Sequence, residues 1–329
     1  MELTVCICTH NRCGYVQDCL QGLRRQTAGQ ASFGLLLVDS GGTGDVPGQL
    51  RRLAAAYPGA KLIRLEQPGL SAARNAGAWA ARTPYIAYLD DDAVPAADWV
   101  ERILASLAEA PRPPALIGGR ILPRWEAPLP GWWPERLRGV LSIIEAEGRG
   151  EYRSAELPPG LEPYGANIVV HVLSLLALGG FGVAGGRFGN VLLSDEEVQL
   201  AWRLQDAGHS VRYDSSIVVE HQIDPGRLHP AWLLSRLYWQ GASAVLTRRA
   251  LQRPGTVWRE LPRRLAVLAL CAPAALVPRR SCWLIPCRWR LAYAAGFILA
   301  AFGWRADTAA RCRTTLPIRA TSLVVIDPA

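Results

Sequence analysis

Strand and helix patterns alternate from the first residues of this chain, and that alternation restricts the fold more than any other feature. Leu3 to Cys8, Phe33 to Val38, Lys61 to Leu65 and Pro84 to Leu89 are short, apolar, β-rich runs. Between them lie segments with helical spacing. Tyr15 to Gln26 sets Val16, Cys19, Leu20 and Leu23 on one face, Val46 to Tyr57 reads likewise, and Gly69 to Gly77 opens a third helix with Ser71 as its expected N-cap. This order predicts an α/β fold with a mostly parallel central sheet and helices on both faces. Open sheets of that kind bind ligands at the carboxyl ends of their strands. Thr9, Asp39 and the triplet Asp90-Asp91-Asp92 all fall at that edge.

The triplet is the sharpest chemical signal. Three adjacent carboxylates repel one another, so a strand ending in them needs either a bound cation or a solvated turn. Oxygen donors at a strand end suit Mg²⁺ or Mn²⁺, which share their coordination with substrate phosphates. A second acidic cluster, Asp195-Glu196-Glu197, opens a helix that runs toward Gly208. It serves either as dipole compensation or as the source of a general base. Asp39 reads a base or ribose, or forms a turn. Arg74 meets phosphate, or lies on the surface. His221, at the end of a strand expected over 216–220, is a candidate to complete a metal shell, and His10 a weaker one.

Beyond the triplet a helix is expected over 99–108 and a strand over 115–122. The stretch from Pro123 to Pro163, rich in Pro, Gly and Trp, is too long for a simple connection and reads as a functional loop region. Its Trp125, Trp132 and Trp133 stack on a sugar, belong to a core or face a membrane.

Charge divides the chain. From Gly226 onward there are 16 Arg, no Lys and 3 acidic residues, a net +13, whereas residues 1–225 sum to −5. The arginines flank apolar, Trp-rich runs, which favours anionic lipid over nucleic acid as the partner. Two apolar runs, Leu265 to Val277 and Leu291 to Trp304, are each shorter than the ~20 residues a spanning helix needs. Their bracketing arginines suit an interfacial or re-entrant contact instead. The 8 Cys follow no zinc spacing, and Met1-Glu2-Leu3 leads straight into a strand without a secretory signal. The expected setting is cytoplasmic, at the inner face of the membrane.

From Leu3 to Gln222 the chain resembles the family 2 inverting glycosyltransferases of the GT-A fold. The resemblance rests on Val5-Cys6-Ile7-Cys8-Thr9-His10-Asn11-Arg12, Val38-Asp39-Ser40, Gly69 to Gly77 with Arg74-Asn75, and Tyr88-Leu89-Asp90-Asp91-Asp92. Gly165-Ala166-Asn167, Gly179-Gly180-Phe181 and Glu196-Glu197 with Arg203, Gly208 and His221 complete it. It implies a GT-A domain over 1–225, which leaves the basic, apolar stretch over 226–329 as the helical, membrane-associated region expected from its charge and composition. It implies that Thr9 and Asp39 sit at the nucleotide base, with Arg74 near the nucleotide. Asp90 and Asp92 resemble the family's DxD pair, Asp92 as metal ligand and Asp90 nearer the ribose, while Asp91 has only a general place in the nucleotide-sugar site. Glu197 stands where the family usually has the Asp of a Glu-Asp pair, the catalytic base, with Glu196 and Asp195 as alternatives.

The expected reaction moves a sugar from a nucleoside-diphosphate sugar to an acceptor hydroxyl with inversion. A UDP-sugar is the default donor, and a glycan or lipid-linked molecule the acceptor. Two other readings compete: a nucleotidyltransferase, for which Thr9 to Gly14 is a poor phosphate loop, and an inactive membrane-associated scaffold.

Overall fold

The computed structural model describes residues 2–182, 192–273, 284–303 and 324–326. The alternation is realised as β1 (Leu3–Thr9), α1 (Cys13–Arg24), β2 (Phe33–Ser40), α2 (Val46–Ala55), β3 (Ala60–Leu65), α3 (Leu70–Ala80) and β4 (Tyr85–Asp90). β1 is buried along its whole length, as a central strand covered on both faces must be. It pairs in parallel with β2 on one side and β4 on the other, and β3 lies outside β2. The crossovers α1 and α2 carry the chain outward from β1, so right-handedness places both on one face. The crossover through α3 returns past β1 and takes the opposite face, packing on β1, β2 and β3. Strand order therefore reverses between β1 and β4, which opens a crevice at their carboxyl ends. Thr9 and Asp90 end the two strands that flank it.

Asp91 and Asp92 form the turn from β4 into β5 (Ala93–Pro95), which α4 (Trp99–Glu109) follows. The second half of the sheet changes direction. β8 (Asn167–His171) runs antiparallel to both β4 and β6 (Leu116–Trp125), and β6 runs parallel to β9 (Val211–Ile223). β5 and β7 (Arg149–Glu151) pair antiparallel with β9, and β10 (Val324–Ile326) caps β3 in the same sense. The sheet is thus mixed, with its parallel half at the crevice. The 13-residue β9 extends well beyond 216–220 and holds His221 opposite Ala93. Asn167 is a clamp: its amide donates to the carbonyls of Arg120 and Ile217 and accepts from the Trp99 indole. Gly69, rather than Ser71, is the N-cap of α3, and Ser71 is buried in its first turn.

After α5 (Val172–Ala177) and α6 (Glu196–Asp206), three helices complete the described chain: α7 (Pro230–Ala250), α8 (Pro254–Cys271) and α9 (Ile285–Ala301). α7 and α9 cross at backbone distance. A Cβ on Gly241 would overlap the Tyr293 carbonyl, and one on Gly296 the Tyr238 carbonyl. Trp133, Val140, Leu141 and Ile143 from the long connection pack with Leu233 and Leu237 of α7, and Trp125 and Trp132 join them. Each buried Leu there contributes roughly 1.5–3 kcal/mol. The tryptophans of this connection are therefore core that seats α7 on the sheet. Among the described residues no helix is long and apolar enough to cross a membrane. α8 takes in the run from Leu265 as far as Cys271, and the part of the run beyond Pro273 lies outside the described residues.

Candidate functional site

The crevice is a cleft of about 840 Å³. Its floor is the carboxyl edge of β1 and β4, and its walls are the start of α6 and one face of α7. Two acidic poles face each other across it.

The first pole is the turn after β4. The Thr9 hydroxyl donates to Asp91 at 2.7 Å. Arg12, in the loop after β1, donates to Asp91 and to Asp92 at 2.8 Å each. Arg227 donates to Asp92 at 2.9 Å. Burial pushes Asp91 up to about 7, with Asp92 adding to the shift and Arg12 and Thr9 opposing it. Asp92 goes the other way: burial works against its charge, but His221, Arg227 and Arg12 outweigh it and hold the carboxyl well below the usual range. Asp91 thus holds its proton more tightly than Asp92, and the arginines offset the charge that remains, which eases the repulsion of adjacent carboxylates.

Two groups at this pole suit a divalent ion. His221 Nε2 lies 3.3 Å from Asp92 Oδ1, close to the roughly 3 Å between neighbouring ligands of an octahedral ion bound at ~2.1 Å. Asp92 is ionised, as a ligand must be. Asp90 turns to Arg74 instead, at 3.1 Å. Among the described residues no three His, Cys, Asp or Glu converge into a complete cage. The donor set fits Mg²⁺ or Mn²⁺, which keep few protein ligands and take the rest from phosphate and water.

Asp39 ends β2 in the same crevice edge, fully buried. Its Oδ1 accepts from the Gly42 amide at 2.7 Å, holding the Gly41-Gly42 turn, while Oδ2 has no hydrogen-bond partner among the described residues. His10 bonds the Ser40 carbonyl at 2.7 Å, which ties the loops after β1 and β2 together.

The second pole is the first turn of α6. Asp195, at the N-cap, has a left-handed backbone (φ 77°) and makes no capping bond with its side chain. Glu196 and Glu197 point instead at Arg74 of α3, which donates to Glu197 at 2.8 Å and to Glu196 at 3.2 Å. Glu197 Oε1 also accepts from the Gly165 amide at 3.0 Å. A Cβ at Gly165 would overlap both Arg74 and Glu197, so this residue is a steric requirement of the pole. Arg74 is 1% exposed. Burial opposes its charge, but Glu197, Asp90 and Glu196 more than restore it.

The structure thus brings Thr9, Asp90, Asp91, Asp92, His221, Glu196 and Glu197 into one cleft. Arg74 lies between the poles, bonded to a carboxylate of each, rather than open toward a phosphate. Glu197 keeps 10% side-chain exposure against 3% for Glu196, so Glu197 is the more open of the two to the cleft. Sequence reasoning gave no role to Arg12, Arg227 or Arg236. Arg12 had a signal, since it closes the polar loop after β1. Arg227 and Arg236 had none beyond belonging to a basic tail.

Residues 4–137 match the sequence model of Glycosyl transferase family 2. That stretch, rather less than half of the chain, is the part that resembles the family. A glucosyl-dolichyl phosphate glucuronosyltransferase of Haloferax volcanii is 30% identical over 179 residues, covering 54% of this chain and 55% of that protein. A pre-mycofactocin glycosyltransferase of Mycobacterium tuberculosis is 27% identical over 237 residues, covering 71% and 46%. The chain thus spans about half the length of these curated relatives. Among solved structures, the mannosyltransferase PcManGT of Pyrobaculum calidifontis, in complex with GDP-Man and Mn²⁺, superposes with a TM-score of 0.58 at 19% identity over 90% of this chain and 87% of that one. TarS of S. aureus, in complex with UDP, gives 0.50 at 14% identity, covering 92% of each chain. The fold of the chain is that of these glycosyltransferases, GT-A.

Proposed function

We propose that this chain transfers a sugar from a nucleoside-diphosphate sugar to an acceptor hydroxyl by single displacement with inversion, aided by Mg²⁺ or Mn²⁺. The observation that carries the reading is the meeting of both acidic poles in one cleft, with Arg74 between them. Such separation gives the leaving group and the nucleophile different partners. Asp39, whose Oδ2 has no hydrogen bond among the described residues and an Arg64 guanidinium at 3.9 Å, and the hydroxyl of Thr9 are the groups for the nucleoside. Asp92 and His221, with Asp90 nearby, are the residues to hold the divalent ion. That ion offsets the charge of the departing nucleoside diphosphate. Glu197, oriented by Arg74 and the Gly165 amide, takes the proton from the acceptor hydroxyl. The oxygen then attacks the anomeric carbon, and the bond from that carbon to the diphosphate breaks, leaving the nucleoside diphosphate with the electron pair.

UDP-sugar is the first donor to test, since the fold neighbours were solved with UDP and with GDP-Man. The Haloferax volcanii relative's name supports a lipid-linked acceptor, in glycolipid or surface-polysaccharide assembly on the cytoplasmic side of a membrane. α8 and α9 suit an interfacial seat there: Trp258, Leu265, Leu270, Leu299 and Phe302 are exposed beside arginines. Replacing Leu265 and Leu270 with Glu is expected to release the chain from anionic vesicles in flotation, and unchanged flotation would refute that seat.

The reading is tested by incubating the chain with UDP-, GDP- and dTDP-sugars and measuring donor hydrolysis with Mn²⁺ and with a chelator. Hydrolysis of one nucleotide class that is lost with the chelator and in Asp92→Asn is expected. No hydrolysis, together with no thermal shift by any nucleoside diphosphate, would overturn it.

A further inference from the structure

α7 sets Trp232, Arg236, Gln240, Ala244 and Arg248 at four-residue steps along the cleft wall, a spacing that keeps side chains on one helix face. Most guanidiniums around the cleft are already engaged. Arg12 and Arg227 are held by the first pole, Arg74 by both poles, and Arg248 by Glu260 and the Ala244 carbonyl. Arg236 differs. It is 6% exposed, yet its Nε and Nη1 have no hydrogen-bond partner among the described residues. Asp195, Tyr164, Glu196 and Glu197 act on its charge without forming an ion pair with it among the described residues. A buried cation with open N–H groups carries a desolvation cost that is offset only when an acceptor fills them.

We propose that Arg236 is the anion-binding residue of the acceptor half of the cleft, taking a phosphoryl group carried by the acceptor. This rests on the transferase reading, which assigns Asp92, His221, Arg12 and Arg227 to the donor phosphates. Arg236 lies instead on the side of Asp195, Glu197 and Tyr164, where the nucleophilic hydroxyl belongs. The planar guanidinium fork binds two oxygens of a phosphate or carboxylate. Tyr164 and Gln240 line the same cleft and add neutral donors, which suits the three oxygens of a phosphoryl group better than the two of a carboxylate. Arg74 offsets part of the charge of Glu196 and Glu197, and Arg236 itself supplies the positive charge that faces the anion.

The test is calorimetric titration of the full chain with hexyl phosphate, after UDP, GDP and Mn²⁺ have filled the donor half, with hexanol as the uncharged control. Saturable binding of hexyl phosphate and none of hexanol is expected. Arg236→Met should weaken hexyl phosphate by at least about tenfold while changing UDP and GDP affinity by less than about twofold, and Arg236→Lys should retain part of the binding. Three results would overturn the proposal: no hexyl phosphate binding by the wild type under these conditions, equal binding of hexanol, or parallel loss of nucleotide and hexyl phosphate in Arg236→Met. The last would assign Arg236 to the donor. If Arg236→Met fails to fold, the wild-type comparison of hexyl phosphate with hexanol and the Arg236→Lys variant decide. If UDP, GDP and dTDP all fail to bind in their own titrations, the transferase reading falls, while the hexyl phosphate titration still judges Arg236.

Discussion

The two acidic poles solve the same electrostatic problem in different ways. At the turn after β4, Asp91 and Asp92 are neutralised by Arg12 and Arg227, whose side chains are 30% and 14% exposed. At the start of α6, Glu196 and Glu197 share one cation, Arg74, with side-chain exposure of 1%, and Asp90 draws on it as well. Partly exposed arginines on loops can exchange a carboxylate for a phosphate at little cost. A buried one fixed by three carboxylates cannot. The first pole is therefore built to be rearranged by a ligand and the second to stay as it is, which is what a leaving-group site and a base require.

The largest expected effect separates them directly. Arg74→Met leaves Asp90, Glu196 and Glu197 without their buried cation and should cost ~3–5 kcal/mol in denaturant unfolding. Arg12→Met should cost less, ~1–3 kcal/mol, because Asp92 keeps Arg227 and Asp91 keeps Thr9. Equal costs would erase the distinction between a fixed pole and an exchangeable one. Next comes chemistry within the second pole. Glu197→Gln should lower sugar transfer by ~10²-fold or more, with nucleotide affinity kept. Glu196→Gln should lower it less, because its carboxylate is the more deeply buried. Loss of transfer in Glu196→Gln with retention in Glu197→Gln would move the base by one residue.

How far the sequence announced this contrast depends on the range of the contacts. A buried parallel strand is written locally, as an unbroken apolar run that ends in polar residues, so β1 to β4 and the edge carrying Thr9 and Asp90 to Asp92 were legible. Ion pairs across the fold are not written locally. Arg74 is 122 positions from Glu196, and Arg227 is 135 from Asp92. The antiparallel turn of β8 between β4 and β6 likewise has no local signature. Nothing in the basic region after Gly226 hinted that a four-residue stripe of α7 would face the cleft. Its Arg and Trp content suggested lipid, whereas Trp232 and Arg236 line the cleft.

A smaller effect probes the rigidity of the second pole by volume alone. Gly165→Ala keeps every charge but drives a methyl group into Arg74 and Glu197. Overpacking of this kind costs ~1–3 kcal/mol, and transfer should fall with little change in nucleotide affinity. If transfer is unaffected, the Arg74–Glu197 contact is not the element that orients the base.

The smallest effect is a pH dependence carried by Asp195, the carboxyl that precedes the second pole without joining it. Burial pushes Asp195 above its ordinary value, with Arg236 and Ser194 opposing the shift. A carboxyl raised in the folded state binds its proton more tightly there than in the unfolded chain. Its contribution to stability is therefore full below the unfolded value of ~3.9 and is lost as pH rises through the raised value. Because Asp195 is only half-buried, the loss should be about 1 kcal/mol, or a few degrees in melting temperature. Melting curves of wild type and Asp195→Asn, taken from mildly acidic to neutral pH in chelator, isolate this residue from Asp91, whose raised value is common to both proteins. The difference between the two curves should grow in favour of the variant as pH rises. A difference that stays constant with pH would mean that Asp195 is ionised throughout, and that Arg236 holds it as Arg74 holds its neighbours.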